Sequence, residues 1–238
     1  MTEDEKHERS ERAIEVCRRL DKLYGPVECF LDHENPFRLT ISVLLSAQTT
    51  DAQVNAVTPE LFERWPTAEA LAAADVAEVE EVIRPVGFYR TKAAHAVAAA
   101  QMIVSDFDGE VPHTMEELCR LPGVGRKTAN IVLNVGFGIV EGIAVDTHVM
   151  RIAHRLGLSD PEHEGDPKGT EQDLLAILPQ ELWGPVNHQW ILHGRQTCTA
   201  RNPACSACIL ADLCPSRLPA TGDTTGSDAP ATTLKKAP

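Results

Sequence analysis

Apolar residues recur at helical spacing through most of the chain, and strand-like alternation is almost absent. Ile14, Val16, Leu20 and Leu23 mark a first helix over 8–23, which Gly25 and Pro26 end. Pro36 opens a second, FRLTISVLLSAQ, that is apolar on most sides and so expected at the centre of a fold; it ends near Gln48. Thr49, Thr50 and Asp51 are capping residues, and Asp51 starts a helix over 51–57. Thr58 with Pro59 reads as a fresh N-cap followed by proline in the first helical position, giving PELFERW. Thr67 caps a short alanine-rich helix, and 76–83 form the next, broken at Pro85. Beyond the loop 85–89, a long helix over 90–104 has an alanine-rich face suited to close packing. Further on, Asp146 occupies an N-cap position before Val149, Ile152, Ala153 and Leu156, and Thr170 caps a helix over 170–178. Pro179 starts a last segment ending in WILHGRQTC. The expected fold class is all-α.

Between Thr114 and Asp146 the pattern turns from scaffold to candidate chemistry. Thr114 and Glu117 form a capping box for a short helix that presents Met115 and Leu118 to a core and stops at Leu121, ahead of Pro122. Gly123 and Gly125 then allow a tight turn with positive φ. A second helix follows, with Lys127, Asn130 and Asn134 on one face and Ala129, Val132, Leu133 and Gly136 on another. Helix, glycine-rich hairpin and helix together aim unpaired N–H groups outward, a seat for a phosphate oxygen. A plain connector between antiparallel helices accounts for the glycines equally well.

Composition narrows the classes. The 238 residues are 43% hydrophobic, with no run long enough to span a membrane, and the start MTEDEKHERSER has no apolar segment, so a cytoplasmic protein is expected. From 218 to 238 the chain is rich in Pro, Gly, Ser and Thr and is expected to be a disordered tail. The net charge of −13 argues against a polyanionic partner, but its distribution does not. Residues 31–113 hold 13 acids and 5 bases, and 157–193 hold 7 and 1; 114–156 hold 4 acids and 5 bases, and 194–217 hold 1 and 3. If a polyanion binds, the two non-negative blocks should face it together.

Of seven cysteines, Cys17, Cys29 and Cys119 are isolated and read as small core residues. Cys198, Cys205, Cys208 and Cys214 have the spacing C-x6-C-x2-C-x5-C, so four thiolates can surround one metal centre with little closure cost. Structural zinc more often takes two C-x2-C pairs, so an iron-sulfur cluster is the favoured occupant and zinc the alternative.

Lys127 lies in the first turn of a helix, where the dipole opposes positive charge; partial burial would oppose it too. Both effects favour the neutral amine, the form that makes Schiff bases, although a lysine there could simply touch a phosphate. Asp146 is in the first place a cap. A capping carboxylate is also fixed in direction, and aimed at a sugar C1′ it would stabilise an oxocarbenium-like transition state.

LPGVGRKTANIVLN, then AVDTHV, then WILHGRQTC with the four-cysteine loop, together resemble endonuclease III, the helix-hairpin-helix DNA glycosylase and abasic-site lyase family; LLSAQTTD matches it too. The resemblance covers 11–215. It implies two all-α domains, a six-helix barrel with the helix-hairpin-helix over 30–140 and an iron-sulfur cluster domain over 1–29 and 141–217, flanking a DNA-binding cleft. By the same resemblance Lys127 is the nucleophile, Asp146 its carboxylate, and Cys198, Cys205, Cys208 and Cys214 hold a [4Fe-4S] cluster. Gln48 would fill the hole left by a flipped base, and Phe88, where the family more often has an aliphatic residue, would wedge against the opposite strand. Leu121, Gly123, Gly125 and Arg126 of the hairpin, with His148 and Arg151, complete the implied DNA-binding set. Related adenine and mismatch-thymine glycosylases lack lysine at the position of Lys127. The resemblance therefore implies a bifunctional enzyme of base excision repair that acts, as a monomer, on oxidised pyrimidines in damaged or abasic double-stranded DNA of a bacterial nucleoid. A monofunctional glycosylase, or a catalytically idle module that recognises DNA structure, is the competing reading.

Overall fold

The computed structural model describes residues 2–219, and every regular element among them is helical. The expected tail lies outside the described residues but for its first two positions. Helix α1 (Glu3–Tyr24) begins before the apolar pattern does, because Thr2 and Glu5 cap it reciprocally: Glu5 N–H donates to Thr2 Oγ1 at 3.3 Å and Thr2 N–H to Glu5 Oε2 at 2.7 Å. In α2 (Pro36–Ser46), capped by Asn35, residues 39–45 are all buried, which makes it the central helix its uniform apolarity called for.

Helix α3 (Asp51–Arg64) corrects the expected break. Thr58 is 2% exposed within one continuous helix and caps nothing. Val54, Val57, Leu61 and Phe62 form one buried face running past Pro59, and that packing outweighs the intrahelical bond lost at the proline. Helices α4 (Ala68–Ala72) and α5 (Val76–Val82) pack on α6 (Tyr89–Asp106), whose buried Ala93, Ala96, Ala99 and Ala100 allow close approach. A short α7 (Met115–Leu118) leads through a turn to α8 (Arg126–Ile131), which continues as a π turn over Val132–Gly136. Helices α9 (Thr147–Arg155), α10 (Pro167–Ile177) and α11 (Trp183–Gln196) follow. The cap of α10 is Asp166 with Pro167 beside it, not Thr170, which is buried inside the helix because its face packs inward.

Buried apolar side chains form two clusters. One joins α2 through α8; the other joins α1 to α9, α10 and α11. The connector between α8 and α9 runs along their boundary in extended backbone: Ile143 and Val145 belong to the second cluster and Ala144 to the first. Cys17 is buried and Cys29 half-buried, but Cys119 is exposed at the end of α7, where the C-cap position faces away from the core. Among the described residues no helix is long and apolar enough to cross a membrane.

Candidate active site

The hairpin is built on one forced glycine. Helix α7 ends at Leu118, ahead of the expected Leu121, and Thr114 makes only half a capping box: Oγ1 accepts the Glu117 N–H at 3.3 Å and donates to Glu117 Oε2 at 2.7 Å. The turn closes where Val124 N–H donates to Leu121 O at 3.0 Å. Leu121, expected among the binding residues, is 2% exposed, and its side chain pins the turn to the core. Gly123 has φ +79°, and a Cβ there would meet His95 Nδ1 at 2.9 Å and Leu44 Cδ1 at 3.1 Å, so any other residue is strained there. Gly125 departs from the expectation of positive φ: at −97° it is the extended N-cap of α8, with open space where a side chain would be. No side chain caps α8, which leaves its first-turn N–H groups to an outside acceptor.

Lys127 stands in that first turn and is exposed rather than partly buried. Asn130, expected on the same face, turns inward instead: Nδ2 donates to Glu171 Oε1 at 2.9 Å and to Ile143 O at 3.2 Å. Asp146 caps α9, with Oδ1 accepting from His148 N–H at 2.8 Å and Val149 N–H at 2.9 Å. The buried ring of His188 stands edge-on to Phe30, with centroids 5.4 Å apart. Burial holds the pKa of His188 below the usual imidazole range; Asp51 and Asp146 oppose that shift and Lys127 adds to it, so the ring senses both candidate groups. Residues 48–53, His148 and Arg195 line an open cavity of about 590 Å³, within the range of small-ligand sites. Arg195 spans it, with Nη2 2.6 Å from Asp51 Oδ2. A larger cavity of about 1170 Å³, among α3, α11 and the segment before α2, includes neither Lys127 nor Asp146.

Among the described residues three non-glycine residues have positive φ, and two are Gln48 (φ +53°) and Phe88 (φ +57°). Left-handed backbone costs such residues about 1–3 kcal/mol and clusters at functional sites. Both side chains are exposed, Phe88 to 67%, and their loops touch: a Cβ on Gly87 would sit 3.4 Å from Gln48 O. The two arginines of the expected set are committed within the chain. Arg126 forks onto Glu171, Nε to Oε2 at 2.5 Å and Nη2 to Oε1 at 3.2 Å. Arg151 donates to Cys198 O, Gly194 O and His148 Nδ1 at 3.0–3.1 Å. Burial keeps the pKa of His148 below the usual range, in line with a ring nitrogen that accepts from Arg151.

The four clustered cysteines form no disulfide and face a shared pocket walled by Ile152, Leu156 and Leu210. Burial raises the thiol pKa of Cys208 and Cys214, and the neighbouring cysteines raise it further. No three of these sulfurs lie within 4.8 Å of one another. A tetrahedral Zn–S₄ site with bonds of about 2.3 Å brings its sulfurs to about 3.8 Å, so no three of these sulfurs sit at zinc-site spacing. Donors are already in place around them: Arg155 Nη1 is 3.2 Å from Cys198 Sγ and Leu210 N–H 3.4 Å from Cys208 Sγ.

Comparison with known proteins agrees with this geometry. Residues 41–180 match the model of the HhH-GPD superfamily of base excision DNA repair proteins, and 198–214 match the iron-sulfur binding domain of endonuclease III. Endonuclease III of Synechocystis sp. is 50% identical over 208 residues, covering 87% of this chain and 94% of that protein. Its counterpart from Bacillus subtilis is 43% identical, covering 85% and 92%. A solved structure of an endonuclease III trapped as a covalent intermediate with DNA, with an estranged adenine, superposes with a TM-score of 0.82 at 42% identity, covering 87% of this chain and 96% of that one. The chain belongs to the endonuclease III family of base excision repair enzymes, DNA N-glycosylases with abasic-site lyase activity that carry a [4Fe-4S] cluster.

Proposed function

We propose that this enzyme removes oxidised pyrimidines of the thymine glycol type from double-stranded DNA and nicks the strand, there and at abasic sites, by β-elimination through a Schiff base on Lys127. One observation carries the reading: an exposed lysine opening α8 and a carboxylate fixed by the first turn of α9 both act on the charge of the same buried imidazole. The neutral amine attacks C1′ of the extruded nucleotide, and the damaged base leaves with the bonding pair and takes up a proton. Asp146, oriented by two N–H donors, faces the positive charge that develops on the sugar. Ring opening then gives an iminium between Lys127 and C1′, and loss of a C2′ proton expels the 3′-phosphate. The relative trapped as a covalent DNA intermediate supports an enzyme-bound species.

The remaining residues serve that reaction. Gly123 and Gly125 let the hairpin N–H groups seat a backbone phosphate, and Gln48 and Phe88 enter the base stack. Arg126, Arg151 and His148 shape the walls through their internal bonds. Cys198, Cys205, Cys208 and Cys214 hold the cluster, which supplies a covalent staple for 198–214 and takes no part in the proton or bond changes. The two cores are taken as the domains 30–140 and 1–29 with 141–217, DNA lying across the groove between them, with a monomer acting on the nucleoid in the cytoplasm. Borohydride is expected to trap a covalent complex with abasic and with thymine-glycol duplexes, and Lys127→Gln to abolish it. No trapping on either substrate overturns the assignment.

A further inference from the structure

The turn that carries Gln48 is held by a buried cation that the chemistry above does not use. Lys92 is 5% exposed and is the one buried lysine among the described residues. It stands near the start of α6, yet its ammonium reaches the end of α2, where Nζ donates to Leu45 O at 2.8 Å, Ala47 O at 2.5 Å and Thr49 Oγ1 at 2.8 Å. An ammonium has three N–H donors, and these three acceptors use all of them. No carboxylate is involved; the balancing charge is the negative end of the α2 dipole.

Gln48 sits between two of the three anchored residues and is left-handed. Phe88, also left-handed, begins the same turn of α6 as Lys92, whose N–H donates to Phe88 O at 3.1 Å. Gly87 lies alongside, where an added Cβ would come to 3.4 Å from both Gln48 O and Thr49 Oγ1. One side chain therefore ties together the two segments whose backbones are least able to hold their shape unaided.

We propose that Lys92 is a positioning residue that locks the Gln48 turn and the Phe88 turn into a single rigid wedge, so that both prongs enter the duplex as one body. The proposal rests on the reading of Gln48 and Phe88 as residues that enter the base stack. Only a paired strand needs a wedge, so the test compares cleavage at an abasic site in duplex and in single-stranded DNA. Lys92→Met is expected to slow duplex cleavage by roughly tenfold or more, as small misplacements do, and single-stranded cleavage by less than about twofold. In a Gln48→Ala/Phe88→Ala background it should slow duplex cleavage no further. Intact cluster absorbance and far-UV dichroism certify the fold; if Lys92→Met does not fold, Thr49→Val, which removes one acceptor, should give a smaller loss of the same duplex-selective kind. Equal loss on both substrates, or an unchanged duplex rate, overturns the role of Lys92. If Gln48→Ala/Phe88→Ala itself spares duplex cleavage, the wedge reading falls, and the positioning role falls with it.

Discussion

Asp146 is proposed to be both a helix cap and the carboxylate that faces the sugar, and the two roles respond differently to substitution. Asparagine is as good an N-cap as aspartate, so Asp146→Asn should leave the unfolding free energy within about 0.5 kcal/mol of the parent, while Asp146→Ala should lose about 1 kcal/mol. Removing the charge should slow single-turnover base excision by roughly a hundredfold in both variants, the scale of one electrostatic contact to a transition state. Wild-type turnover in Asp146→Asn would reduce Asp146 to a cap. The structural places of Asp146, Lys127 and the four cysteines were legible because their signals are local: a cap before an apolar period, a lysine after a glycine turn, four thiols within one short segment. Lys92 and Glu171 were not, because their partners lie far along the chain, Lys92 contacting Leu45 at a separation of 47 residues and Glu171 contacting Arg126 at 45. A weak signal was present in each case. Lys92 heads the buried stripe of Ala96, Ala99 and Ile103, and Glu171 precedes Leu174 on the inward face of α10, places where an unpaired charge is costly.

Elements were misread where strong local chemistry met stronger packing. Thr58 with Pro59 and Thr170 have the form of helix starts, yet each is buried inside a longer helix whose apolar face runs on through it. Caps with no competing packing, at Thr67 and Asp146, lie where the pattern put them. Helix α10 also shows how a tertiary pair makes stability depend on pH. Asp173 accepts from His163 Nδ1 at 2.7 Å, Ser159 Oγ at 2.6 Å and Asp160 N–H at 2.9 Å, tying the turn over Pro161–His163 to the helix. The hydrogen bond to Asp173 raises the pKa of His163, slight burial opposes it, and Asp166 and Asp160 add to it. Burial acts to raise the carboxyl of Asp173, but those three donors hold it below its ordinary value. A raised imidazole stabilises the fold fully below its unfolded pKa of about 6.5 and loses that contribution as pH rises through the folded value. A depressed carboxyl stabilises above its unfolded pKa of about 3.9 and loses its contribution as pH falls through the folded value. The stability difference between the parent and His163→Gln should therefore be largest near pH 5–6, in the window those values define, and fade towards about pH 9. Urea midpoints of the two proteins across that range measure it; a difference that does not change with pH would mean the pair is uncharged.

At the scale of the whole molecule, an acidic protein that binds a polyanion must spend its few bases with care. The two blocks of the chain that are not acidic do meet, since Arg151 and Arg155 on α9 hold the carbonyls of Cys198, Thr199 and Ala200. That meeting engages most of the cations it collects, Arg201 and Arg217 being exposed. Arg120, Arg126 and Arg195 are paired with Asp106, Glu171 and Asp51, and Arg151 and Arg155 are turned onto carbonyls. Lys127 is the base of the hairpin region without such a partner among the described residues. On the proposed function, phosphate recognition falls chiefly to neutral groups, the N–H donors of the hairpin turn and the uncapped start of α8, which would hold a phosphate without displacing a counterion as a cation does. Sequence-independent binding should accordingly be weak in salt dependence as well as in strength. On an undamaged duplex the slope of log K against log salt is expected at roughly −2 to −4, against about −0.9 for each phosphate neutralised. Lys127→Gln should make it shallower by about 1, whereas Arg126→Gln should leave it unchanged, because its charge is already matched by Glu171. A slope near −8 would require many free cations on the bound face, and would mean that the internal pairs of Arg126, Arg151 and Arg195 open when DNA binds.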